Sequence, residues 1–144
     1  MSRLLASLHK LLKLQDYTIE QLRQQISLVK KQTELRDQLI DKNIRHVNTE
    51  RLIASVNISG SENFSAFVAW KHSENKIYAQ EIIELNQTLD EFKEQLFESY
   101  RELKQLDTVR ENEQRRINAE LSRKESLASD EMATQKYLVP PFVE

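Results

Sequence analysis

Glycine occurs once in this chain of 144 residues, at Gly60, and proline only as the adjacent pair Pro140 and Pro141. A compact globule of this length reverses direction many times and draws on glycine and proline to do so. Confining the breakers to one internal point and one distal pair leaves long uninterrupted segments joined by a single internal turn. Charged residues make up 31 % of the chain and hydrophobic residues 39 %. That balance suits helices with narrow buried stripes better than it suits a thick core.

The apolar spacing agrees. Counting sevens from Leu5 gives Leu5, Leu12, Ile19, Ile26, Thr33, Ile40, Val47 and Ala54 at heptad position a, while the d series opens with Leu8, Gln15, Leu22 and Val29. This is the seam of a coiled coil. The d series then turns polar at Arg36, Asn43 and Glu50, with Leu35, Leu39, Ile44 and Ile53 beside it, which predicts that the seam rotates there. A second series places Val68, Asn75, Ile82, Leu89, Leu96, Leu103, Arg110 and Ile117 at a, and Phe64, Tyr78, Leu85, Phe92, Leu106 and Leu127 at d.

The expected fold is therefore all-α: a long two-helix antiparallel coiled-coil hairpin forming a single domain over residues 1–144. The first arm is expected at about 2–56, a turn at 57–63 around Gly60, the second arm at about 64–136 and a tail at 137–144 that Pro140 and Pro141 keep out of the helix. Ser59 and Glu62 have the spacing of a capping box, with a start at Ser61 as the alternative. Residues 1–56 carry 10 Lys/Arg against 6 Asp/Glu, and residues 57–144 carry 11 against 17. Arms of opposite sign favour the intramolecular hairpin and a monomer over pairing of like arms from two copies.

Little in the sequence points to catalysis. His9, His46 and His72 stand far apart, with no second histidine or cysteine at metal-ligand spacing, so no metal site and no cofactor are expected. Gly60 alone makes no phosphate-binding loop, and carboxylates such as Glu111 and Glu113 read as a solvated face. The formal charge of −2 argues against a nucleic-acid partner, and the Arg115–Arg116 pair is diluted by acidic neighbours. The absence of cysteine suits a reducing compartment, and the leucine-rich opening, interrupted by Arg3, His9, Lys10 and Lys13, is not expected to act as a signal peptide. A cytoplasmic protein that binds other proteins is the expectation.

Two candidate surfaces follow. The second arm is longer than the first, so its later turns are expected to run on without a partner at the open end, leaving Leu4, Leu11, Ile117, Leu121, Arg123, Leu127 and Tyr137 for another protein to cover. At the turn end, Phe64, Phe67 and Trp70 form the second candidate, with Trp70 at a position that a two-helix coil leaves wet, as are Phe97 and Tyr100 further along.

The layout and three stretches carry a family resemblance. Leu4–Leu14, with its spaced leucines, the phrase Tyr100-Arg101-Glu102-Leu103-Lys104-Gln105-Leu106, and Lys124–Ala133 together resemble the flagellar export protein family FliJ and its injectisome relatives of the YscO type. The likeness runs over about residues 1–136, and the Pro140–Pro141 tail departs from that family's basic end. The resemblance implies a stalk or adaptor of a type III export apparatus that binds no nucleotide itself. It further implies that the open end inserts into a hexameric export ATPase, that the chain also contacts the large cytoplasmic domain of the export gate and escort chaperones, and that it works at the cytoplasmic face of the membrane. The rival reading is an export chaperone that covers an amphipathic segment of a secreted substrate.

Overall fold

The computed structural model describes residues 2–56 and 61–138. They form two α-helices, α1 (Arg3–Val56, 54 residues) and α2 (Ser61–Leu138, 78 residues), and no strand among the described residues. Neither helix contains glycine or proline, so nothing interrupts the ladder of backbone hydrogen bonds. Ser2 caps α1: its Oγ accepts the Leu5 N–H at 3.0 Å and its carbonyl accepts the Ala6 N–H at 3.1 Å. Helix α2 begins at Ser61, three residues before the expected arm, and runs to Leu138. The expected cap residue Ser59 and the Pro140–Pro141 tail lie outside the described residues.

The two helices pack against each other as an antiparallel hairpin and divide into two compact units. One joins α1 up to Tyr17 with α2 from Tyr100 onward; the other spans Thr18–Ser99. In the second unit the direction is plain, because the α2 partners of Arg36, Asn43 and His46 are Glu81, Asn75 and Phe67 in turn. In the first unit Ser2 meets Glu113, while Leu12 and Asp16 share a shallow groove with Tyr100, Leu103, Lys104 and Asp107.

Among the described residues, the buried apolar side chains are Leu5, Leu8, Ile19, Leu22 and Ile26, all at a or d of α1. Their counterparts on α2, from Phe64 and Val68 to Leu106 and Ile117, are half-buried. A two-helix seam has one covering partner per layer, so each of these side chains realises only part of the roughly 1.5 to 3 kcal/mol that complete burial contributes.

The predicted rotation of the seam does not occur. Arg36 and Glu50 are half-buried and Asn43 is only 5 % exposed, so the d series keeps its course, while Leu35, Ile44 and Ile53 are exposed and Leu39 is half-buried. The reason lies across the seam. Asn43 Nδ2 donates to Asn75 Oδ1 at 2.8 Å and to Glu74 Oε2 at 3.4 Å, and Arg36 Nε donates to Glu81 Oε2 at 2.6 Å. Polar groups that find partners can stay in a seam, because the desolvation cost falls mainly on unpaired ones.

Candidate functional site

At the open end, the structured contact between the helices is a polar latch. Ser2 Oγ, already the cap of α1, donates to Glu113 Oε1 at 3.3 Å. Glu113 occupies d, is buried, and receives Arg116 Nη2 at 2.8 Å and Nε at 3.1 Å; Arg116 Nη1 also reaches Glu120 Oε2 at 3.3 Å. The Arg116 guanidinium holds the Glu113 carboxyl below the ordinary glutamate value; burial opposes this and the Ser2 hydroxyl adds to it. Glu113 in turn raises Arg116. The reading of Glu113 as part of a solvated face is therefore corrected: its d position, in a series otherwise mostly apolar, is the sequence signal that marks it.

Beyond that latch the environment of α2 changes abruptly. Ile117 is half-buried, and every residue from Asn118 to Tyr137 is exposed. Ile117, Leu121 and Leu127 stand at a, e and d, on the side of α2 that faces α1 in earlier turns, with Arg123 at g beside them. Tyr137, near the helix end, is 92 % exposed. Leu4 and Leu11 are also exposed, but both lie at g of α1 within the paired stretch. Of the seven open-end residues, Ile117 is therefore still covered like the rest of the α2 seam, Leu121, Arg123, Leu127 and Tyr137 lie uncovered beyond it, and Leu4 and Leu11 form a separate pair on α1.

Near the turn end, the rings are assembled. His46 packs edge-on to Phe67 with centroids 5.7 Å apart, and Phe67 packs edge-on to Trp70 at 6.1 Å. The Lys71 ammonium lies 4.3 Å from the Trp70 centroid and 3.9 Å from Glu74 Oε1. Lys71 occupies d and is buried, so its stem fills the seam while its charged head reaches out over the rings. Phe64 and Phe67 are half-buried, and Trp70 remains 57 % exposed. His46 and Lys71 belong to this cluster although the aromatic pattern by itself does not include them; their g and d positions are what bring them there.

No group of three His, Cys, Asp or Glu among the described residues is arranged to hold a metal ion, and no helix among them is long and apolar enough to cross a membrane. At both ends, exposed apolar side chains lie beside charge pairs: Leu121 near Arg116–Glu120, and Trp70 near Lys71–Glu74.

Compared with known families, the chain matches the model described as "Flagellar FliJ protein" over residues 50–141, which takes in the last turns of α1 and all of α2. No match is found among curated proteins or among solved structures.

Proposed function

Because the chain belongs to the FliJ family and so is a component of flagellar protein export, we propose that it acts as the stalk of an export ATPase, linking a hexameric ATPase ring to the export gate. The observation that carries this reading is the uncovered helix from Asn118 to Tyr137. Leu127 at d and Leu121 at e lie on the side of α2 that carries the seam in earlier turns, among polar residues at the other a and d positions (Glu120, Lys124, Glu131 and Thr134), and each of the two leucines contributes up to about 1.5 to 3 kcal/mol when fully buried by another protein. The charged residues beside them, including Arg115, Arg123 and Lys124, orient the contact more than they tighten it. The ring cluster of Phe67 and Trp70 is the surface assigned to the large cytoplasmic domain of the gate, with escort chaperones as further partners. The protein works at the cytoplasmic face of the export machinery. Bound inside a ring, it acts by favouring some conformations of the ATPase over others.

The test uses the full chain. ATP hydrolysis by the export ATPase of the same cell is measured with the parent protein and with Leu121→Asp/Leu127→Asp, both of which change exposed side chains and leave the paired stretch intact. Stimulation by the parent and its loss in the variant, at unchanged helicity, is the expected result. Full stimulation by the variant would remove the open end from the mechanism.

A further inference from the structure

The hairpin carries another surface, along one flank of the Thr18–Ser99 unit, and it is independent of both ends. Two contacts define the flank. Arg36 bonds Gln32 Oε1 at 2.7 Å and Glu81 Oε2 at 2.6 Å, and His46 packs on Phe67. Gln32 and His46 are g residues of α1, and Glu81 and Phe67 are g residues of α2. The g sides of the two helices therefore border the same flank, with the c positions just outside them.

Along this flank the two helices differ sharply in chemistry. From residue 21 to residue 39 of α1, the c and g positions are Gln21, Gln25, Leu28, Gln32, Leu35 and Leu39, without a single charge. Leu28 is 59 % exposed and Leu35 51 %. In a chain with 31 % charged residues, the one α1 charge that reaches this stretch of the flank from another position is Arg36, at d, and Glu81 pairs with it. The facing stretch of α2 presents Ile77, Glu81, Glu84, Thr88, Glu91 and Gln95 at the same positions, with three acids and no base. Glu81 is paired with Arg36, whereas Glu84 and Glu91 form no ion pair among the described residues. Ile77, Glu81 and Glu84 line an open depression together with Ser73, Lys76 and Gln80, so the acidic border is unopposed by a base only from Glu84 to Glu91.

The geometry points to this flank as a docking site for an amphipathic helix of another protein, whose apolar stripe lies on Leu28, Leu35 and Leu39 and whose Lys/Arg edge faces Glu84 and Glu91. The uncharged strip spans about 27 Å at 1.5 Å per residue, the length of a helix of some 18 residues. An exposed apolar strip with an acidic border selects a partner of complementary charge. A second copy of this chain is a poor occupant, since its own flank brings either glutamates against leucines or glutamates against glutamates. An anionic membrane surface is repelled by the same acids.

The probe is a synthetic helical peptide of about 18 residues with a leucine stripe and lysines along one edge. Its binding to the full chain is followed by fluorescence anisotropy beside a peptide carrying glutamates in place of the lysines. The lysine peptide is expected to bind at least roughly tenfold more tightly at low salt. Glu84→Lys/Glu91→Lys should reverse that preference, and Leu28→Gln/Leu35→Gln should abolish binding of both peptides. All four positions are exposed and the variants should keep the helicity of the parent. Equal binding of the two peptides, binding of neither, a preference that fails to reverse, or an unaffected leucine variant would each overturn the assignment. So would self-association of the chain through Leu28 and Leu35.

Discussion

Replacing Asn43 alone and together with Asn75 should change stability in opposite directions. In the parent, the pair exchanges a 2.8 Å amide hydrogen bond in a layer where Asn43 is 5 % exposed and Asn75 half-buried. Asn43→Leu removes that bond, with a net contribution of about 1 kcal/mol, together with the longer 3.4 Å one to Glu74, and leaves the Asn75 amide facing a methyl group, at a cost of roughly 1 kcal/mol more. The new leucine recovers part of this by apolar burial, so the single variant is expected to lose about 1 kcal/mol. In Asn43→Leu/Asn75→Leu no orphaned amide remains and two leucines share the layer, one well covered and one half-covered. The apolar gain of about 2 to 4 kcal/mol then exceeds the lost bond, and the double variant should be more stable than the parent by about 1 to 3 kcal/mol. Urea unfolding followed by circular dichroism completes the cycle. The same apolar seam loses the layer that sets its register, so sedimentation velocity should resolve more than one species for the double variant where the parent gives one. Coupling below about 0.5 kcal/mol would show that the two side chains act independently and would refute the account of why the seam stays straight.

Ile26→Asp, which places an unpaired charge at a buried a position, should cost about 3 kcal/mol or more, while Leu28→Asp two residues away should stay within about 0.5 kcal/mol; thermal melts that shift alike would refute the heptad assignment. The lowered Glu113 carboxyl adds stability that is fully present above its ordinary value of 4.5 and is lost as pH falls through its depressed folded value. The stability difference between the parent and Glu113→Gln should therefore be largest at neutral pH and vanish in acid, and a difference that persists unchanged at pH ~3 would detach the Ser2 latch from the Glu113 charge.

The helices and their buried stripe were legible in the sequence, because both are set by short-range rules. One glycine and two prolines leave nowhere else to break a helix, and a residue at a or d returns to the same face every seven positions whatever lies opposite. Leu5, Ile19, Leu22 and Ile26 are buried as that spacing requires. The uncovered later turns of α2 followed likewise from comparing the lengths of the two arms. What the sequence could not decide was the fate of polar residues within the seam. An asparagine at d is compatible with a seam that turns aside or with one that runs straight, and the choice depends on whether a partner waits opposite. For Asn43 that partner is Asn75, for Arg36 it is Glu81, and for Glu113 it is Ser2 together with Arg116. Asn75 lies 32 residues along the chain from Asn43 and Ser2 lies 111 from Glu113, so heptad counting within one arm cannot pair them. The shared flank has the same origin: g positions of two helices meet only after antiparallel pairing has put them side by side, and only then does an uncharged strip on one helix lie along an acidic strip on the other.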